Sequence, residues 1–231
     1  MRYTTVLLDA DGTLLDFERS EAEAVWQTME QNGISPTPAL VKRYSEINDG
    51  LWKMLERGEI EKSVLLYHRF ELFADEFGYQ IDAKKMAEDY MNNLSQKGYL
   101  LDGAKELLER LQGKADLYIV TNGVEFIQTE RHARSGLREL IKEIFISGRI
   151  GFEKPDVRYF EAVAAAIPNF DPTRTLVVGD SLTSDMKGGI NAGLDVCWFN
   201  PKGKAAPDHM PLTFVASNYD EIYNLIVSGE E

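Results

Sequence analysis

The chain has 231 residues, 44% of them hydrophobic and 27% charged, which fits one large domain, or a core with a smaller companion, and excludes a disordered polymer. Its formal net charge of −13 argues against a nucleic acid polymer as partner, but leaves a small phosphorylated substrate open through local cations. A single cysteine, Cys197, excludes an internal disulfide, and its apolar setting reads as a buried thiol.

The opening "MRYTTVLLDAD" lacks the apolar run of a signal peptide, and no stretch nears the ~18 apolar residues of a membrane span. A soluble, cytoplasmic protein without a membrane partner is the expectation.

The first expected strand is Thr5 to Asp9, and it ends in Asp9-Ala10-Asp11-Gly12-Thr13. Residues i and i+2 of a strand share a face, so Asp9 and Asp11 can point into one space. Two like charges so close repel unless a cation or a shared proton intervenes. A turn with solvated acids is the plainer alternative. A calcium loop fails, because its further oxygen ligands and closing Glu are missing.

Residues 17–97 show helical patterns and no convincing strand, with pieces ending at Gly33, Gly58, Gly78 and Gly98. That is too long for a crossover, so an inserted helical bundle is expected, with a core formed by residues 1–16 and 98–231. Trp52 reads as a bundle residue, although Trp52, Phe17, Arg69 and His68 are candidates to touch a ligand. The acidic run Glu18 to Glu23 reads as solvated, as do most of Lys53, Lys62, Lys84, Lys85 and Lys97. His132 and His209 form no constellation with a nucleophile and read as surface residues.

Strands are expected again at Leu117–Asn122, Glu143–Ser147, Thr175–Asp180 and Val196–Asn200, with helical stretches between them. Continuous apolar strands alternating with helices imply a doubly wound α/β fold with a mainly parallel, Rossmann-like sheet. Ligands of such sheets bind at the carboxyl ends of the strands. Three more polar groups fall there or in the loops that follow. Thr121-Asn122-Gly123 is a turn signal, or a hydroxyl with backbone donors for a phosphate. Glu153-Lys154-Pro155-Asp156 holds a lysine pinned before a proline. Gly179-Asp180-Ser181-Leu182-Thr183-Ser184-Asp185 is a helix cap with a first-turn acid, or a source of two more carboxylates. Hard oxygen ligands gathered at one edge suit Mg²⁺.

"DADGT", "TNG", "EKP" and "GDSLTSD", in this order, resemble the four motifs of haloacid-dehalogenase-superfamily phosphatases with a helical cap of the C1 type. The resemblance implies a Mg²⁺-dependent phosphomonoester hydrolase. It casts Asp9 as the nucleophile that forms an aspartyl-phosphate and Asp11 as the general acid–base. Thr121, Asn122 and Gly123 correspond to the phosphate-holding motif, and Lys154 to the lysine that steadies the nucleophile. The implied metal ligands are Asp9, Asp11 through its carbonyl, Asp180 and Asp185. Asp11 argues against dehalogenation, since the dehalogenases of this superfamily lack an acid there. "INDGLWKMLERGEI", "HRFE" and "GGINAGLDVCWFNP" are similar to bacterial pyrimidine 5′-nucleotidases that act on modified nucleoside monophosphates. A sugar-phosphate phosphatase, a phosphomutase and a non-catalytic sensor on the same fold are the alternatives.

Overall fold

Val6, Leu7 and Leu8 have no exposed surface, because β1 (Thr5–Leu8) lies in the middle of a six-stranded sheet. The computed structural model describes residues 2–228, so residue 1 and residues 229–231 of the expected core span lie outside the described residues. The other strands are β2 (Asp116–Thr121), β3 (Glu143–Ile146), β4 (Thr175–Gly179), β5 (Asp195–Phe199) and β6 (Phe214–Ala216). Their order is β3-β2-β1-β4-β5-β6, every pair is parallel, and Thr5 is in register with Asp116 on one side and Thr175 on the other.

The helices are α1 (Phe17–Gln31), α2 (Pro38–Glu56), α3 (Lys62–Phe77), α4 (Ala83–Ser95), α5 (Ala104–Leu111), α6 (Glu125–Ser135), α7 (Ser147–Ile150), α8 (Val157–Ala166), α9 (Lys187–Asn191) and α10 (Tyr219–Val227). None is long and apolar enough to cross a membrane.

Side chains alternate along a strand, and each face of this sheet has its own apolar layer. Val6 and Leu8 pack with Leu107, Leu108 and Leu111 of α5 and Ile222 and Ile226 of α10. Leu7 faces the opposite way, toward Tyr159, Phe160 and Val163 of α8. Coverage on both sides explains why the strands are apolar runs without a polar alternate, and makes this a doubly wound α/β fold. The five expected strands occur, each within a residue at either end. β6 escapes the sequence pattern because it has three residues at the sheet edge, of which only Ala216 is buried.

Helices α1 to α4 fall between β1 and the rest of the sheet. Asp16 caps α1 at the Arg19 amide, Thr37 caps α2 ahead of Pro38, and Asp82 caps α4, while α3 stops at Gly78 in the left-handed region. Val25, Met29, Tyr44, Phe70, Phe73 and Tyr90 form the buried cluster between them. Truncating a buried phenylalanine such as Phe73 to alanine costs about 3–5 kcal/mol. Ile127 of α6 is buried in the same cluster, so the insert is seated on the helix that follows β2.

Four expectations about this region are corrected. Glu21 is buried, accepting hydrogen bonds from Ser45 and from Asn48 Nδ2, because its helix turns that one acid toward α2. Lys62 and Lys97 are largely covered, each lying where the insert meets the sheet domain. His132 is fully buried on α6 and neither ring nitrogen has a partner, while His209 is exposed as expected. Trp52 packs beside the Leu51, Leu55 and Leu65 cluster but also lines the cleft described next.

Candidate active site

β1 ends at Leu8, and Asp9 continues its ladder by donating its amide to Val178 O at 2.8 Å. Asp9 has the parity of Leu7, so its side chain opens toward the α8 side of the sheet. There it meets Lys154, two residues ahead of the Asp156 cap of α8. Lys154 is 1% exposed, and its Nζ donates to Asp9 Oδ1 at 2.7 Å, Asp185 Oδ1 at 2.6 Å and Val120 O at 2.8 Å. A buried ammonium is tolerated only when its donors are satisfied in this way. The second oxygen of Asp9 accepts no hydrogen bond among the described residues.

Asp180 directly follows β4, and Asp185 comes from the turn of helix Leu182–Met186 that starts at the Ser181 cap. Carboxylate oxygens of Asp9, Asp180 and Asp185 all lie within 4.8 Å of one another. Gly12, with φ of +81°, takes the chain past this group: a Cβ there would lie 2.5 Å from Asp180 Oδ2.

The electrostatics follow from three acids sharing one lysine. Burial, and then the charge of Asp185, raise the Asp9 carboxyl well above the usual carboxylate range, with Lys154 opposing. The same two causes push Asp180 up to about 7. Burial alone would lower the Lys154 ammonium, but Asp185 and Asp9 outweigh it and raise it. A divalent cation fits this set. The donors are hard oxygens, they converge, and one ammonium leaves negative charge that repels itself.

Asp11 stands outside that trio. Its Oδ1 is paired with Arg131 Nη1, and its Oδ2 accepts from Gln128 Nε2 at 2.6 Å. Both partners are buried on α6. Thr121, Asn122 and Gly123 do line the cleft, but part of their bonding is internal. Gly123 donates its amide to Thr121 Oγ1 at 3.0 Å. The Asn122 side chain clips the Lys154 backbone, accepting from its amide and donating to its carbonyl, each at 2.8 Å.

The insert supplies the opposite wall. Phe17, Asn48, Asp49, Trp52 and Glu56 close a cleft of about 230 Å³ over Asp9, Lys154 and the Asp180–Asp185 turn. Glu56 accepts from Thr183 Oγ1 at 2.5 Å. Arg69 lies inside the bundle, donating to Asn48 Oδ1 and Leu66 O, and His68 pairs with Glu71 on the outside.

Gln128, Arg131, Glu56, Asp49 and Lys62 were not among the expected site residues. One signal was available for the first two. The segment "EFIQTERHARSG" follows a buried strand yet has almost no apolar stripe, so its covered face had to be polar.

Residues 3–193 match the haloacid dehalogenase-like hydrolase family. The Bacillus subtilis (strain 168) protein YfnB is 41% identical over 97% of this chain and 96% of its own length. A crystal structure of YfnB bound to magnesium has a TM-score of 0.94, covering 99% of this chain and all of that one, at 39% identity. Pyrimidine 5′-nucleotidase PynA of Streptococcus pneumoniae is 37% identical over 98% of this chain and 96% of its own length. Pyrimidine 5′-nucleotidase YjjG of Escherichia coli is 30% identical over 98% of this chain and 99% of its own.

Proposed function

Because this chain belongs to the haloacid dehalogenase-like hydrolases, we propose that it is a Mg²⁺-dependent phosphomonoesterase acting on pyrimidine nucleoside 5′-monophosphates. The observation that carries this reading is the buried Asp9 carboxylate, which lines the cleft, is held on one oxygen by Lys154 and has no hydrogen bond to its other oxygen among the described residues. That is the geometry an attacking carboxylate requires. The names of PynA and YjjG and the magnesium in the YfnB structure support the substrate and the ion.

In this reading Asp9 forms an O–P bond to the phosphorus as the P–O5′ bond breaks. Asp11 gives a proton to the departing nucleoside oxygen, then takes one from the water that splits the aspartyl-phosphate and releases inorganic phosphate. Asp9, Asp180 and Asp185, with the Asp11 carbonyl, would hold the cation. When bound, it supplies positive charge that lets a carboxylate approach a phosphate. Lys154 favours the ionised form of Asp9, against burial and Asp185, and orients it. Residues 17–97 act as a cap on a core of 1–16 and 98–231, excluding bulk water while Trp52 offers its face to the base.

The test is phosphate release from UMP and dUMP with Mg²⁺, beside a panel of sugar phosphates. Release that EDTA abolishes and that Asp9→Asn removes without unfolding is expected. Isomerised sugar phosphate with no free phosphate would instead identify a mutase. Near-normal turnover by Asp9→Asn would overturn the nucleophile assignment.

A further inference from the structure

Lys62 is the first residue of α3, in the insert, yet every partner of its ammonium lies in the sheet domain. Its Nζ donates to the Asn122 carbonyl at 2.8 Å and to Ser147 Oγ at 2.8 Å, and pairs with Glu153 Oε1 at 2.7 Å. The Lys62 side chain is 18% exposed, so it gives up most of its hydration for these contacts. Two of the partners belong to loops that line the cleft, through Asn122 itself and through Lys154 beside Glu153. Asn122 follows β2, Ser147 follows β3, and Glu153 precedes Lys154. The Asn122 side chain in turn fixes the Lys154 backbone at both its amide and its carbonyl.

We infer that Lys62 is a positioning residue that makes seating of the helical insert and assembly of the phosphate-binding loops a single step. With α3 docked, one ammonium ties the Asn122 loop to the Glu153–Lys154 loop and orders the groups around Asp9. With α3 displaced, three acceptors lose their common donor and both loops slacken. Glu56, at the other side of the α2–α3 turn, makes the matching contact with Thr183 in the Asp180–Asp185 turn. The turn that joins α2 to α3 is therefore fastened on both flanks of the cleft. Tight placement of loops is worth much in phosphoryl transfer, where a shift of about 1 Å can cost on the order of 100-fold.

The inference rests on the phosphomonoesterase reading for its kinetic readout only. Full-length wild type, Lys62→Met, Lys62→Arg and Glu153→Gln are compared by steady-state phosphate release from UMP with Mg²⁺ and by amide hydrogen exchange. Lys62→Met is expected to lower kcat about 10- to 100-fold with KM changed by less than about threefold, and Lys62→Arg to recover part of the loss. Exchange at the amides of Asn122 to Val124 is expected to speed up about tenfold in Lys62→Met while β2 stays protected. A rise in KM with kcat intact would show that Lys62 merely fastens the insert, and would overturn the inference. Unchanged exchange at Asn122 to Val124 would overturn it as well. If wild type releases no phosphate, the functional reading falls, and the exchange data still decide the role of Lys62.

Discussion

The carboxylate of Asp185 packs against the α-carbon of Gly179, so closely that a Cβ on Gly179 would lie 2.2 Å from Asp185 Oδ2. Gly179 has no positive φ, so what the position requires is space. Gly179→Ala is expected to push Asp185 off Lys154, to cut phosphate release on the order of 100-fold and to raise the Mg²⁺ concentration needed for half-maximal rate. A magnesium titration of the variant checks this. An unchanged titration curve would remove Asp185 from the ion's surroundings.

Gln128 holds one oxygen of Asp11, and its own Oε1 is buried without a partner. Such an orphan acceptor costs about 1–3 kcal/mol, a loss that makes sense only if the contact to Asp11 matters. Gln128→Leu removes the orphan with the contact. It is expected to keep or raise the thermal midpoint while lowering kcat about tenfold. A fall in stability with kcat intact would make Gln128 a packing residue.

Charge around the cleft bears on the proposed substrate. Asp49 and Glu56 face it from α2, and Lys154, tied to Asp9 and Asp185, is the one cationic side chain among its described lining residues. A second phosphate would meet carboxylates with no cation to spare. Measured kcat/KM for UMP is expected to exceed that for UDP by at least about 100-fold, and Glu56→Gln to narrow the gap several-fold. Equal rates on UMP and UDP would contradict this.

His132 supplies a pH dependence. Burial, reinforced by Arg131 and Arg138 and opposed by Asp11, lowers its imidazole to about 4. The folded state therefore binds the proton less readily than the unfolded chain, whose histidine titrates near 6.5. The stability due to neutral His132 is complete above about pH 6.5 and is lost as pH falls toward 4, by about 3 kcal/mol. Urea midpoints at pH 7.5 and 4.5 should fall further apart in wild type than in His132→Leu. Identical differences would mean that His132 is not held neutral.

Part of the candidate site was legible because strand ends are. Asp9 and Asp180 each follow a continuous apolar run, and the parallel pairing of β1 with β4 brings those ends together. Lys154 lies in the short loop entering α8 and Asp185 in the helical turn Leu182–Met186 that follows β4, so local spacing carries them to the same edge. Gln128, Arg131, Glu56 and Lys62 are different. Each sits on a helix whose sequence is compatible with several orientations, and only packing of the insert against α6 and the sheet selects one. Glu21 shows the same limit. An acid in an acidic run looks solvated until its helix is rotated against Ser45 and Asn48.

The central place of β1 also bears on how the protein is made. β1 pairs with β2 on one side and β4 on the other, and the whole helical insert is synthesised between β1 and either partner. Such distant pairing is slow, and a naked apolar strand is prone to join a neighbouring chain meanwhile. Asp9 and Asp11 stand immediately behind Val6, Leu7 and Leu8, where charged residues act as gatekeepers against that association. Replacing both acids therefore threatens solubility during biosynthesis as well as turnover.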